Sequence, residues 1–314
     1  MYSTGTYQFV DVAISSTGQY QSVIDSSNGY VWLSSNYGSG WNMIYITNPM
    51  SSIAISSATG QYQTVTVKNG YIYKSSNYGS SWSSTASYQT WVTVAMSSTG
   101  GHQTAGVVNG YLYVSNDHGN TWSQVASYQS WTGVAMSMTG KHQTAVSSGY
   151  IYVSSDFGQT WISQGSSASW KAVAMSGTGA YQSAVVTNGY IYSSLLEVAL
   201  EPTDYPTSIP TSNPSSAPTN SPYDAVTLMT SWSQLNEYGN WYDISMSADG
   251  KYQSAVVNGG YIWVSGDYGN TWSPYYNSAS WNGIAVSGTG QYQTAIYVYS
   301  NSYQQYQPYY PYWW

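Results

Sequence analysis

Residues 115–122 read SNDHGNTW, and Asp117 beside His118 is the pair best equipped to do chemistry in this chain. A carboxylate next to an imidazole can relay a proton or hold a metal ion. Two other groupings compete with it. Asp11 and Asp243 hold the same slot of a repeat described below, and two carboxylates at a set separation are what glycoside hydrolysis uses. His102 and His142 also share a slot, but no carboxylate aligns with them in their units, so a zinc set between them is incomplete. No GxSxG, P-loop, HExxH or GxGxxG occurs. Cysteine is absent, which removes thiol catalysis, thiolate metal sites and disulfides. Nothing here calls for a cofactor.

The composition narrows the function classes. Charged residues make up 5% of the 314, against roughly 25% in an ordinary soluble domain. The 36 Tyr and 15 Trp supply enough surface for a packed core, and most of these rings carry a polar handle. The five cations are Lys68, Lys74, Lys141, Lys171 and Lys251, with no arginine and a net charge of −7. A chain with so few cations has no basic field for nucleic acid or anionic membranes. No apolar run is long enough to span a bilayer. The first residues, MYSTGTYQFVDVAISS, have neither a basic nor an apolar leader region, so no signal peptide is expected within this chain.

A repeat must position whatever does the work. The phrase Gly-x-[Tyr/His]-Gln occurs seven times, at Gly18, Gly60, Gly100, Gly140, Gly179, Gly250 and Gly290. Nine residues before the glycine stands an aromatic in six copies (Phe9, Trp91, Trp131, Trp170, Trp241 and Trp281), with Ser51 as the exception. In the third unit, WVTVAMS runs into the turn SSTGG, HQTAGVV follows, and Asn109–Gly110 leads into YLYVS. Asn-Gly between two such runs is a hairpin signal, because a type I′ turn needs positive φ twice. Four short antiparallel strands per unit of about 40 residues read as propeller blades. The expected fold is all-β, a seven-bladed β-propeller of four-stranded antiparallel blades over residues 1–302. The last unit lacks its second hairpin, so residues 1–8 are expected to complete the seventh blade and close the ring.

Set against its copies, SNDHGNTW changes meaning. SSNYGSGW (34–41), SSNYGSSW (75–82), SSDFGQTW (154–161) and SGDYGNTW (265–272) share the pattern Ser-x-[Asp/Asn]-x-Gly-x-x-Trp. The pattern resembles the Asp-box of the sialidase-type, or BNR, repeat, also found in sortilin-like propellers. That resemblance implies a turn between the third and fourth strands of a blade. In it Asn36, Asn77, Asp117, Asp156 and Asp267 would bond their own loop, while Trp41, Trp82, Trp122, Trp161 and Trp272 anchor it. The physics agrees, since Asp or Asn in a tight turn accepts backbone amides and Gly supplies the left-handed residue. His118 holds the slot of Tyr37, Tyr78, Phe157 and Tyr268, and His102 and His142 that of Tyr20, Tyr62, Tyr181, Tyr252 and Tyr292; all three stand in for aromatics. Sialidase activity depends on an arginine triad, which a chain without arginine cannot form, and lysine does not replace bidentate geometry. The chain is therefore expected not to be an enzyme; a glycosidase built on Asp11 and Asp243 is the residual catalytic reading.

Two segments fall outside the repeat. Unit five breaks at Ser193–Ser194, where its Asp-box should begin, and the pattern resumes at Ser231–Trp232. The insertion, residues 195–230, begins within SLLEVALEP (194–202), read as one or two helical turns, and continues with prolines at 202, 206, 210, 214, 218 and 222. Such a segment is expected to be extended, and it resembles the Pro-Thr-Ser tracts of secreted algal and protist surface proteins. Its hydroxyls at Thr203, Thr207, Ser208, Thr211, Ser212, Ser215, Ser216 and Thr219 are candidates for O-glycosylation. The chain ends SYQQYQPYYPYWW, and residues 303–314 read as an aromatic arm in which Tyr309, Tyr310, Tyr312, Trp313 and Trp314 would dock on this propeller or on a neighbour's. Head-to-tail docking propagates into a filament. Two functions remain in play: a non-catalytic subunit of an extracellular filament or surface hair, a homo-oligomer, and a carbohydrate-binding propeller lectin whose partners are glycans.

Overall fold

The computed structural model describes residues 7–47, 49–195, 231–297 and 308–309. Within them the repeats become antiparallel strands ordered from the propeller axis outwards. The first sheet is Phe9–Ile14, Gln21–Asp25, Tyr30–Ser34 and Asn42–Tyr45, each strand pairing with the next in sequence. Second strands such as Gln63–Val67 and Gln103–Val107 are buried at every position, because neighbouring sheets cover both faces. Among the described residues no helix is long and apolar enough to cross a membrane.

The expectation of seven separate blades is overturned. The described residues form six sheets, five of four strands and one of five, so the propeller has six blades. The cause lies in the sixth and seventh repeats. Where other units break before their innermost strand, Ser273–Val286 runs unbroken for 14 residues. Where other units turn, Gln253–Ser265 continues through Gly259 and Gly260 for 13. Backbone pairing is therefore continuous, and the seventh repeat shares the blade of the sixth. The outer strand beside Gln293–Tyr297 is Pro308–Tyr309. Part of the aromatic arm thus pairs with its own chain. Residues 310–314, residues 196–230 with all the candidate glycosylation positions, and residues 1–6 of the expected closing strand lie outside the described residues. Leu195 ends the strand Gly189–Leu195 rather than starting a helical turn.

The repeat phrase accounts for closure. Each of its glutamines accepts a hydrogen bond from the hydroxyl that follows the glutamine of the preceding unit. Ser22 donates to Gln63 at 2.9 Å, Thr64 to Gln103 at 2.8 Å, and Thr104 to Gln143 and Thr144 to Gln182 both at 2.6 Å. Ser183 to Gln253, Ser254 to Gln293 and Thr294 back to Gln21 follow, each at 2.7 Å. All seven links are buried, and the last joins the seventh repeat to the first. The phrase's glycine has two reasons to be glycine. At Gly60 φ is +78°, and an added Cβ would meet the ring of Tyr20 from the preceding unit at 2.6 Å. The sequence register of unit two needs one correction: Met50, 1% exposed, fills the aromatic slot assigned to Ser51. It pairs with Val67 as Phe9 pairs with Asp25, because Ala58 adds a residue to the following turn.

One strained position is testable. Ala86 and Ala126, five residues before their unit's tryptophan, have φ of +63° and +62°. Gly165 fills the same slot of the next unit at +73°. The left-handed region costs an alanine about 1–2 kcal/mol, and a glycine's extra freedom in the unfolded chain offsets about half of that. Ala86→Gly and Ala126→Gly should each stabilise by about 0.5–1 kcal/mol, measured by urea unfolding.

Candidate functional site

The inner strands enclose a cavity of about 370 Å³ on the propeller axis. Each inner strand slips its register just after the slot residue, as between Trp241 and Asp243 and between Phe9 and Asp11. The bulge turns adjacent residues inward, and it brings together Asp11, Asp243, Lys171, Tyr242 and Asn282. The Lys171 ammonium lies 4.2 Å from the centre of the Tyr242 ring. Sequence reasoning found the two acids but missed Lys171 and Tyr242. The available signal was their place directly after Trp170 and Trp241, one residue before the acids' slot.

Both carboxyls are occupied with holding strands. Asp11 Oδ1 accepts the Val12 amide, and its Oδ2 accepts the Ser52 hydroxyl and the Ile53 amide of the next unit, all at 2.8 Å. Asp243 Oδ1 accepts the Ile244 amide at 2.8 Å, and its Oδ2 accepts the Ile284 amide of the next unit at 2.9 Å. Burial raises Asp11 from 3.8 to about 6, against the pull of the bonds from Ile53, Ser52 and Val12. Burial and the negative charge of Asp11 raise Asp243 to about 7, against the bonds from Ile284 and Ile244 and the charge of Lys171. Burial likewise lowers Lys171, opposed by Asp243. The pair could exchange protons near neutrality. A glycosidase pair would need its oxygens directed at a substrate, and here every carboxylate oxygen takes a backbone amide.

The Asp-box turns lie at the outer hairpins. Asp117 Oδ1 accepts the Ser115 hydroxyl at 2.8 Å and the Thr121 amide at 2.9 Å, and its Oδ2 accepts the Thr121 hydroxyl at 2.6 Å. The Trp122 indole donates to the Gly119 carbonyl at 3.1 Å. Asp156 and Asp267 repeat the pattern, with Trp161 and Trp272 donating to Gly158 and Gly269. Asn36 and Asn77 accept the Gly40 and Ser81 amides, and Trp41 and Trp82 donate to Gly38 and Gly79. Burial alone would raise the Asp117, Asp156 and Asp267 carboxyls, but the threonine, serine and backbone donors together hold them below the ordinary value.

His118 and His102 sit in aromatic stacks between units. His118 stacks on Tyr62 with ring centres 4.2 Å apart, and His102 on Phe157 at 4.7 Å. His102 Nδ1 is 2.8 Å from Asn116 Oδ1. Burial and then the Lys141 charge lower His142. Asp117 and His118, adjacent in sequence, are thus engaged with different partners. A second aromatic series covers the outer strands. Tyr30–Tyr45, Tyr71–Tyr88, Tyr111–Tyr128 and Tyr190–Tyr238 pair edge to face at 5.3–5.7 Å. Tyr45, Tyr88, Tyr128 and Tyr238 are each about 60% exposed.

Comparison with known proteins agrees with this architecture. The BNR-Asp box repeat family matches residues 151–164, which hold Asp156 and Trp161. No curated protein sequence matches the chain. Among solved structures, YCF48 from Cyanidioschyzon merolae is similar with a TM-score of 0.65 and 14% identity, covering 95% of this chain and 94% of that one. A structure of YCF48 bound to D1 peptide matches with the same TM-score and identity over 95% of this chain and 93% of that one. The Cps50 (Swd1) β-propeller domain from Myceliophteria thermophila matches with a TM-score of 0.70 and 10% identity, covering 94% and 96%. The chain shares the propeller fold with all three.

Proposed function

We propose that the chain is a non-catalytic interaction propeller, a structural subunit that assembles through its surfaces. The observation that carries this reading is the outer tyrosine series. Four units keep a tyrosine pair whose outer ring stands about 60% exposed, where burial in the core gives no reason for it. Amphipathic rings on a surface almost free of charge suit docking, because they bury large area at little desolvation cost. The peptide-bound YCF48 structure supports partner binding by a propeller of similar shape. The finer reading is self-association into an extracellular filament or surface hair, supported by the sparse charge, the Pro-Thr-Ser insertion and the aromatic arm.

Light scattering and electron microscopy of the purified chain test it. Assemblies are expected, and Tyr88→Ser with Tyr128→Ser should reduce them severalfold. A strictly monomeric protein, indifferent to these changes and to deletion of residues 303–314, would sink the filament. The lectin is the second reading, favoured by the same exposed rings and their repetition. Glycan-array binding by a monomer, lost in the same variants, would favour it instead.

A further inference from the structure

The slot that holds Tyr20 in unit one and the slot that holds Tyr78 in unit two meet across every described junction between an Asp-box turn and the unit before it. Three of these junctions pair tyrosine with tyrosine. Tyr20–Tyr78 joins units one and two at 4.8 Å and 33°, and Tyr181–Tyr268 joins units five and six at 4.7 Å and 30°. Tyr37–Tyr292 joins the first unit to the last at 5.1 Å and 36°. Tyr37, Tyr78 and Tyr268 are 38%, 42% and 39% exposed, so one phenol of each pair is open to solvent.

We propose that these three stacks are sites of oxidative tyrosine coupling, with Tyr37–Tyr292 the bond that would make the ring covalent. Four observations carry it. The rings lie tilted by only 30–36° with their centres 4.7–5.1 Å apart, a proximity that favours coupling of the two phenols over encounter with a third. The tyrosine pairs within single sheets stand at 75–86° instead, with one edge directed at the other ring's face. Each stack crosses between units, and at the Tyr37–Tyr292 junction the described structure offers only non-covalent links. The chain has no cysteine, so it lacks both disulfides as staples and thiols that would quench a phenoxyl radical.

The chemistry balances with hydrogen peroxide as oxidant, used by a one-electron catalyst of the haem-peroxidase class. Each phenol gives up one electron and its hydroxyl proton. The two phenoxyl radicals join ortho carbon to ortho carbon, and each ring regains aromaticity as that carbon's hydrogen moves to the oxygen. Two tyrosines thus lose two hydrogen atoms in all, and one peroxide becomes two waters.

The test treats the dilute full-length protein with a haem peroxidase and limiting hydrogen peroxide, then denatures, digests and maps it by mass spectrometry. The expected products are cross-linked peptides joining Tyr37 to Tyr292, Tyr20 to Tyr78 and Tyr181 to Tyr268, each two hydrogens lighter than its parts, in a chain of monomer mass. Tyr37→Phe keeps the stack but removes the phenol. It should lower the Tyr37–Tyr292 product at least tenfold and leave the other two. Oxidised wild type should also unfold at a higher urea midpoint than oxidised Tyr37→Phe, because that cross-link closes a loop spanning most of the chain. Dityrosine found only between chains, or no more abundant at the three stacks than at the perpendicular pairs, overturns the proposal. Equal midpoints for the two oxidised proteins overturn the ring-closing role of Tyr37–Tyr292.

Discussion

Gln143→Leu should destabilise the propeller by about 3 kcal/mol without changing the secondary structure. Gln143 Oε1 accepts the Thr104 hydroxyl at 2.6 Å, and its Nε2 donates to the Gly140 carbonyl at 2.9 Å, with both contacts buried. Leucine fills a similar volume and leaves a hydroxyl and a carbonyl unpaired away from water. Each such group costs about 1–3 kcal/mol. Thr104→Val in the same protein removes one of the two orphans, so the double variant should be more stable than the sum of the single effects by about 1 kcal/mol. Urea unfolding of the four proteins measures this. Strict additivity would show that the hydroxyl–amide link is not an energetic unit.

Raising the pH from 5 to 8 should weaken the fold, and Asp243→Ser should remove most of that loss. Asp11 and Asp243 hold their protons in the folded state up to about pH 6 and about pH 7, against 3.8 for an ordinary carboxyl. Their contribution to stability is fully present below about pH 4 and is lost as the pH rises through those two values. For Asp243 the loss is at most about 4 kcal/mol, at about 1.4 kcal/mol per unit, and water in the channel reduces it. The Asp-box acids act in the opposite sense. Held low in the folded state, they stabilise above the ordinary carboxyl value and lose that contribution on acidification. Stability should therefore peak near pH 4. Serine is the natural replacement, because Ser52 fills the same slot in unit two and its hydroxyl accepts the Val94 amide at 3.3 Å. Thermal unfolding of both proteins between pH 4 and 8 decides the matter; parallel curves would show that Asp243 does not govern the pH dependence.

Much of this was legible in the sequence, for identifiable reasons. The phrase Gly-x-[Tyr/His]-Gln marks units because each of its residues meets an inter-unit constraint: the glycine a ring and a left-handed turn, the aromatic a stack, the glutamine a buried hydroxyl. The Asp-box aspartates and tryptophans act within eight residues, so their turn could be inferred locally. The number of blades could not. It depends on whether backbone pairing continues through Gly259–Gly260 and past Ser278, and a repeat count is blind to that continuity. The Met50 register was hidden by one added residue, Ala58. Lys171 and Tyr242 were missed because they converge with Asp243 only when the inner strands come round the axis.

The seven hydroxyl–glutamine links all run the same way, each donor lying in one unit and its acceptor in the next. They form a closed circuit of like-directed links, one at each junction, while the glutamine amides donate to glycine carbonyls of their own units, as Gln63 does to Gly60 and Gln103 to Gly100. Such a circuit has no first member. The step from Thr294 to Gln21 is as short as the others, so in hydrogen bonding the seam between the ends of the repeat array is indistinguishable from the six junctions the backbone spans. What the seam lacks is only covalent continuity, and force applied along the chain would find it there.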